Sequence, residues 1–186
     1  MRLLSVLIKY GILVVLLLQL SCGPSTRGVR PGRLRTLKGD VTIAGDHPFD
    51  RRILLANGKG NFWTLRSREL EGELMNLAGL RVKVWGYYVD KSTPEPEMTV
   101  EHYELLPIDG RTPIIGTIYY SGDRPILIAP ATGEQYVLVG PLGDALKNFA
   151  GYKVWICGDK EGGAGKGRFQ LDVKGYGVLG PAERGR

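Results

Sequence analysis

The sequence predicts an all-β protein with short helices, arranged as two tandem five-stranded barrels after a signal peptide and a tether. Two observations predict this. The segments "GLRVKVWG" (79–86) and "GYKVWICG" (151–158) share their length, their terminal glycines and their alternation of residues. A spacing of 72 or 73 residues also superposes much of the remaining chain on itself. The chain therefore contains a duplicated unit.

Residues 1–21 predict a lipoprotein signal peptide. They have a basic start and an apolar run from Tyr10 to Leu18 that is too short to span a bilayer comfortably. The end of the segment, Gln19-Leu20-Ser21-Cys22, resembles the lipobox of bacterial lipoproteins, with Gln19 where leucine is usual. The resemblance implies lipidation of Cys22. Ordinary cleavage and an uncleaved anchor are the alternatives.

The same resemblance predicts the location of the protein. Cys22 would carry several acyl chains, which hold a protein at a membrane far more firmly than one chain does. Gly23 follows the cysteine in place of the aspartate that is associated with inner-membrane retention. We therefore expect an exported protein, lipid-anchored to the outer membrane and facing the periplasm.

Residues 22–36 are rich in Pro, Gly, Ser and Arg and predict a flexible basic tether. Its cations either lie along anionic lipid headgroups or only keep a linker solvated. The chain has a formal charge of +6, but from Gly39 onward 18 Lys and Arg face 19 Asp and Glu, a net charge of −1. A near-neutral body argues against a broad phosphate-binding surface, so nucleic acid is disfavoured as a partner.

Each copy predicts the same elements, over 37–107 and then over 114–180. A first strand is expected to follow Gly39 and Gly116. The second strands, "DRRILLA" (50–56) and "DRPILIA" (123–129), correspond at a spacing of 73. A glycine-containing turn, "NGKG" or "ATGE", then leads to a third strand.

A short helix is expected next in each copy, because large apolar residues recur at i, i+4 and i+7. They are Leu70, Leu74 and Leu77 in the first copy, and Leu142, Leu146 and Phe149 in the second. Ser67 and Pro141 suit the helix starts. Gly79 and Gly151 suit the helix ends.

The repeated segments that opened this section predict the fourth strands. Alternation places one set of residues inside the barrels: Leu80, Val82, Val84, Tyr152, Val154 and Ile156. It places the other set outside: Arg81, Lys83, Trp85, Lys153, Trp155 and Cys157. A loop, "KSTPEPE" (91–97) or "DKEGGAGKG" (159–167), is expected before the fifth strand.

Five short strands with a helix between the third and fourth is the element order of the OB-fold barrel. From Leu37 to Leu179 the chain is similar to the small OB-type domains of exported bacterial proteins, and more distantly to nucleic-acid-binding OB domains. The shared pattern G-x-x-V-x-V-x-G implies architecture. It implies function only by analogy.

The sequence predicts no catalytic residue, metal site or cofactor. His47 and His102 lack ligand spacing, "GGAGKG" from Gly162 lacks the spacing of a phosphate loop, and Cys157 is expected to be a buried, inert thiol.

A metal-dependent hydrolase is one alternative, because some OB-barrel nucleases cluster carboxylates and arginines. Asp50-Arg51 and Asp123-Arg124 recur in both copies, although a local ion pair explains them more simply.

OB barrels bind ligands on the face of the second and third strands, between two loops. The candidate ligand-binding residues are aromatic or cationic side chains that could stack on bases or sugar rings: Phe62, Arg66, Lys83, Trp85, Lys153 and Trp155. The alternative is that these aromatics lie between the barrels. The short linker 107–113 favours contact between the barrels. Trp155 is expected there because its surroundings carry less charge, while Trp85 is left open.

We therefore expect a lipid-anchored envelope protein whose barrels act as a non-enzymatic binding or structural module. Its partners would be the membrane, through the lipid on Cys22, and an envelope protein or glycan. Nucleic-acid or oligosaccharide binding through an OB face is the alternative, with the hydrolase as a third reading.

Overall fold

The computed structural model describes residues 33–46, 50–58, 60–90, 96–165 and 167–182. The predicted signal peptide, Cys22, most of the predicted tether and His47 lie outside the described residues. Within them, strands dominate and form two closed five-stranded barrels with a few short helices. The predicted fold class of two tandem barrels is confirmed. No helix in this part of the chain is long and apolar enough to cross a bilayer.

The first barrel follows the predicted order of elements. Its strand order is β1-β2-β3-β5-β4, with β4 pairing back to β1, and only the β3–β5 pair is parallel. β1 begins two residues before the predicted boundary. The elements are β1 (Arg35–Ala44), β2 (Arg52–Ala56), β3 (Phe62–Arg66), α1 (Glu71–Met75), β4 (Arg81–Asp90) and β5 (Glu97–Leu105).

The second barrel repeats this topology. Its strands follow one another as β6-β7-β8-β10-β9 around the closed sheet, and β8 and β10 are parallel. A 3₁₀ helix (Leu146–Phe149) continues its α-helix. The elements are β6 (Ile114–Ser121), β7 (Arg124–Ile128), β8 (Gln135–Val139), α2 (Pro141–Ala145), β9 (Tyr152–Gly165) and β10 (Arg168–Pro181).

Gly39 and Gly116 lie inside their strands, so the prediction that a strand follows each of them is wrong. A Cβ on Gly39 would lie 2.2 Å from the carbonyl oxygen of Ala56, and a Cβ on Gly116 would lie 2.4 Å from that of Ile128. No side chain fits at such distances. Glycine therefore marks the place where the first strand passes close over the second.

The same contacts correct the alignment of the second strands. The Cβ of Gly39 would meet the Leu55 side chain, and that of Gly116 would meet Leu127. Leu55 is therefore equivalent to Leu127, a spacing of 72. The predicted match of "DRRILLA" with "DRPILIA" at 73 is wrong by one residue. Apolar residues fill both second strands almost continuously, so alternation could not fix their register.

The fourth strands face as predicted at their centres. Val82, Val84, Val154 and Ile156 are fully buried in the two cores. Tyr152 is a correction, because it is 39% exposed. It is the first residue of β9, where its ring reaches past the end of the barrel onto Phe149.

The helices are shorter than the apolar pattern predicted. Leu142 is 38% exposed because the helix tightens into a 3₁₀ turn at Leu146, which breaks the i, i+4, i+7 face. Pro141 occupies the first turn of α2 as predicted. The Ser67 hydroxyl accepts a hydrogen bond from the Leu70 amide at 3.1 Å, just before α1 begins.

The segment "DKEGGAGKG" is largely not a loop. β9 continues to Gly165 and β10 starts at Arg168, so the two strands form one long hairpin. Asp159 pairs with Asp172, and Glu161 pairs with Gln170. Backbone pairing with β10 therefore overrides a composition that is typical of loops.

The two barrels pack against each other within one compact unit. Leu179 belongs to β10 of the second barrel, yet it is 1% exposed and lies in the core of the first barrel. Trp155 and Ile115, also on the second barrel, pack against that same core. The expectation that Trp155 lies between the barrels is confirmed.

Candidate functional site

A groove of 390 Å³ lies on the first barrel beside the start of β3. It opens on the face of the second and third strands, where the sequence predicted binding. Phe62 stands 48% exposed at its edge, and Thr64 is nearly buried in its floor. The groove is lined by Leu54, Gly60, Asn61, Phe62, Trp63, Thr64 and Pro96.

Among the described residues, the parallel ladder beside the groove starts later in the first barrel than in the second. The β3–β5 ladder begins at Thr64 and Glu97, after the Thr64 amide donates to the carbonyl of Pro96 at 2.9 Å. In the second barrel, the ladder begins two residues earlier, at Gln135 and Arg168. Gln135 and Tyr136 are therefore paired with β10 in the second barrel. Their equivalents in the first barrel, Phe62 and Trp63, line the groove.

Pro96 explains this difference. It occupies the position that Phe169 holds in the second barrel, where Phe169 pairs with Tyr136. Proline has no backbone N–H to add to a ladder, so β5 starts only after it. Pro96 was not among the predicted site residues, although it stands near the end of the predicted loop 91–97, just before the fifth strand.

The wall of the groove is held by an aromatic stack. The Trp63 and Tyr88 rings are stacked, with centroids 4.7 Å apart and planes at 20°. The Arg35 guanidinium lies over Tyr88 at 5.9 Å. Trp63 also packs against the core of the first barrel, so its ring is fixed in place.

At the equivalent place in the second barrel, the Tyr136 and Phe169 rings lie beside each other with Lys160 over them. The Lys160 ammonium lies 3.3 Å from the ring centroid of Phe169 and 5.4 Å from that of Tyr136. It also pairs with Glu134 at 3.2 Å, and the Tyr136 hydroxyl donates to the same carboxylate. Burial and this carboxylate raise the pKa of Tyr136 to about 12. The hydrogen bonds from Tyr136 and Lys160 lower the pKa of Glu134.

The candidate residues of the first barrel do not form one site. Phe62 borders the groove, and Arg66, at the other end of β3, pairs with Glu97 at 3.6 Å. Lys83 and Trp85 lie on β4, which is not a neighbour of β3, so they face a different side. There, the Lys83 ammonium sits 4.2 Å above the Trp85 ring, whose centroid is 5.1 Å from that of His102.

Lys153 and Trp155 lie at the junction of the barrels, where Trp155 was expected as the alternative to a ligand-binding face. The Lys153 ammonium donates to both carboxylate oxygens of Glu73, at 2.7 and 2.8 Å. The Tyr103 hydroxyl donates to the same carboxylate at 2.5 Å. Burial, aided by Glu73, raises the pKa of Tyr103 well above its usual value. A cavity of 300 Å³ lies beside this cluster.

The residues considered for catalysis are dispersed. The Asp50 carboxylate lies 4.0 Å from Nε of Arg52. This ion pair therefore joins Asp50 to Arg52 and not to Arg51, the residue that recurs beside it in the sequence. In the described ranges, no group of three or more His, Cys, Asp or Glu side chains is placed to hold a metal ion. Cys157 is buried, as predicted, and burial raises the pKa of its thiol.

No protein-family model matches this chain, and no curated protein matches it. One solved structure, described as "Molecular basis for abrogation of activation of pro-inflammatory cytokines", is similar over 78% of this chain and 94% of that one. The sequence identity is 10% and the TM-score is 0.23. A likeness at that level carries no argument, so function has to be inferred from the site.

Proposed function

We propose that this protein is a lipid-anchored, non-enzymatic binding module of the bacterial envelope, built on two tandem OB-fold-like barrels. The first barrel holds the ligand in its groove, and the second barrel is a structural support. Export and anchoring rest on the apolar run and on the Gln19–Cys22 segment that resembles a lipobox.

The observation that carries the binding role is the difference between equivalent positions of the two barrels. In the second barrel, Phe169, Tyr136 and Lys160 occupy the space beside the third strand. In the first barrel, the same position is a groove with an exposed Phe62 and a fixed Trp63. Divergence of this kind between duplicated units favours a specialised binding surface on one of them.

The groove suits an extended segment of a partner protein. The described part of β5 pairs with β3 only from Thr64 onward, so the start of β3 borders the groove with its backbone. A peptide strand can add hydrogen bonds at such an edge while aromatic side chains hold its residues. The near-neutral charge of the body fits an uncharged contact better than a phosphate backbone.

Site-specific photo-crosslinking in the native envelope tests this proposal. A photoreactive phenylalanine analogue replaces Phe62, and cells are irradiated before the envelope is solubilised. We expect a discrete protein adduct, because the side chain stands at the edge of the groove. Gln135, the equivalent position in the second barrel, is also exposed and provides the matched control. Equal adducts at both positions, or none at position 62, would reject the groove as the protein-binding site.

An oligosaccharide is the second candidate ligand. Phe62 and Trp63 offer rings on which sugars can stack, and Asn61 offers an amide beside them. In this case, envelope glycans would change the fluorescence of Trp63 in wild-type protein and fail to do so in Phe62→Ala. Crosslinking at position 62 would then yield no protein adduct, which separates the two ligands.

A further inference from the structure

The first barrel has two ends with different neighbours. One end, which we call the outer end, gathers the start of β1 (Arg35), the start of β3 (Phe62), the end of β4 (Asp90) and the start of β5 (Glu97). The register requires this, because Arg35 pairs with Gly86, Tyr88 pairs with Met98, and Thr64 pairs with Glu97. The first described residue, Arg33, leads into β1 at this end.

The second barrel is docked at the opposite end, where α1 lies. Glu73 of α1 binds Lys153, and the Asn76 side chain donates to the carbonyl of Leu179 at 3.0 Å. The outer end and the second barrel therefore lie at opposite ends of the first barrel.

The outer end combines exposed apolar and basic side chains. Leu34 is 49% exposed, Phe62 is 48% exposed, and Val89 is 56% exposed. Arg33 and Arg35 are exposed beside them. Two acidic residues, Asp90 and Glu97, also lie at this end, and Arg66 pairs with Glu97 at 3.6 Å. Apolar side chains with neighbouring cations are the combination that rests at a bilayer interface.

We propose that the outer end of the first barrel lies on the anionic headgroups of the membrane, with Leu34 and Val89 inserted shallowly and Arg33 and Arg35 near the phosphates. This inference rests on the proposed lipid anchor at Cys22. The second barrel then projects away from the bilayer. The groove beside Phe62 opens close to the headgroups, so its ligand is met at the membrane surface.

The length and charge of the connecting chain fit this arrangement. Eleven residues lead from Cys22 to Arg33, a reach of at most about 40 Å when fully extended. That reach is short enough to keep the outer end near the bilayer. Arg27 and Arg30 add positive charge on the way, which complements anionic lipids.

The three tryptophans of the chain lie at different distances from the outer end, so their quenching by lipid measures how the protein is oriented on the bilayer. Trp63 lies at the outer end, Trp85 on the side of the barrel, and Trp155 at the junction with the second barrel. Single-Trp variants of the lipidated protein are reconstituted into phosphatidylglycerol-containing vesicles with brominated acyl chains, which quench nearby indoles. We expect Trp63 to lose the larger part of its emission, Trp85 to lose less, and Trp155 to lose little.

Paired variants identify the contact. Leu34→Ser combined with Val89→Ser should abolish most of the quenching of Trp63. Tyr119→Ser combined with Tyr120→Ser, two exposed residues of the second barrel, should leave it unchanged. Intact mass of the same samples reports the acyl chains. A lipidated protein whose Trp63 is quenched no more than Trp155 overturns the orientation and leaves the anchor standing. A mature chain without acyl groups overturns both.

Discussion

Gly86 and Gly158 close the repeated fourth-strand segments, and each faces a carbonyl oxygen of the fifth strand. A Cβ would lie 2.0 Å from the Thr99 oxygen at Gly86 and 2.4 Å from the Asp172 oxygen at Gly158. The first glycine of each segment serves another purpose, since Gly79 and Gly151 have φ of 85° and 78°. Helix exit and strand crossing therefore explain why both copies keep glycine at both ends.

Alanine at these positions gives the first prediction. Gly86→Ala and Gly158→Ala should each lower the free energy of unfolding by about 1–3 kcal/mol, because the backbone has to move to admit the methyl group. Gly72→Ala is the matched control, since it lies in α1 with open space around it. Alanine should stabilise that helix by roughly 0.5–1 kcal/mol. Urea unfolding measures all three, and a neutral Gly86→Ala would mean that the two strands can separate there at little cost.

The hydroxyl of Tyr103 gives a prediction about pH. Burial and Glu73 raise its pKa in the folded protein, so its contribution to stability is complete below the unfolded pKa, about 10, and is lost at higher pH. Tyr136, with a pKa of about 12, adds a loss of the same sign. We expect the free energy of unfolding to fall above about pH 10.

The variant Tyr103→Phe separates the two tyrosines. It should cost about 1–2 kcal/mol near neutral pH, because the Glu73 carboxylate loses a donor. It should also flatten the alkaline fall, and Tyr136→Phe should remove the remaining part. Urea unfolding at neutral pH and at several alkaline values measures both effects. An alkaline profile unchanged in Tyr103→Phe contradicts the assignment.

At the scale of elements, alternation and glycine spacing predicted most of the barrel. Val82, Val84, Val154 and Ile156 could be placed inside because polar or aromatic residues separate apolar ones along each fourth strand. The second strands could not be aligned, because nearly every residue in them is apolar. The lengths of the parallel β3–β5 and β8–β10 ladders could not be predicted either. They depend on which residues of two distant strands lie side by side, and the pattern along one strand does not contain that information.

The candidate site likewise has parts that the sequence pattern predicted and parts that depend on contacts between strands. Phe62 was found from its place on the third strand, while the groove beside it depends on Pro96 delaying β5. Lys153 and Trp155 were placed on the correct side of β9, and Trp155 was expected between the barrels, but the pairing of Lys153 with Glu73 was not predicted. A pattern along one strand reports which side a residue faces. It does not report what lies on that side.

Leu179 gives a prediction for β10 as an element shared by both barrels. Leu179→Ala should lower the free energy of unfolding by about 3 kcal/mol, because it opens a cavity in the first barrel's core. Leu106, the equivalent residue of the first copy, is only partly buried, so Leu106→Ala should cost less. Urea unfolding followed by Trp63 fluorescence makes the comparison. Equal costs would show that Leu179 contributes no more than an ordinary strand end.

At the scale of the whole molecule, the duplicated units have become unequal partners. The second barrel places Phe169 where the first has Pro96, and it contributes Leu179, Trp155 and Lys153 to the junction. The first barrel keeps the groove and receives those side chains against its core and α1. The two barrels share one strand order and differ in what their side chains contact. That difference gives one barrel the groove and the other the supporting contacts.

This sharing predicts that the two barrels unfold together. Val154→Asp places an unpaired carboxylate in the second core, which costs several kcal/mol, comparable to the stability of a small domain. Loss of the second barrel would also withdraw Leu179 and Trp155 from the first. We therefore expect one shared transition in wild-type protein, and in Val154→Asp we expect both barrels to shift to lower urea concentration.

Two probes distinguish the barrels in that experiment. Trp63 fluorescence reports the first barrel, and labelling of the buried Cys157 thiol, located by peptide mass, reports the second. Coincident curves for the two probes are expected, as in any two-state transition. Val137→Asp, at a partly exposed outward position of β8, is the control and should shift both curves much less. If Val154→Asp exposes Cys157 without urea while Trp63 keeps its wild-type midpoint, the first barrel folds alone, and Leu179 is a contact that it can lose.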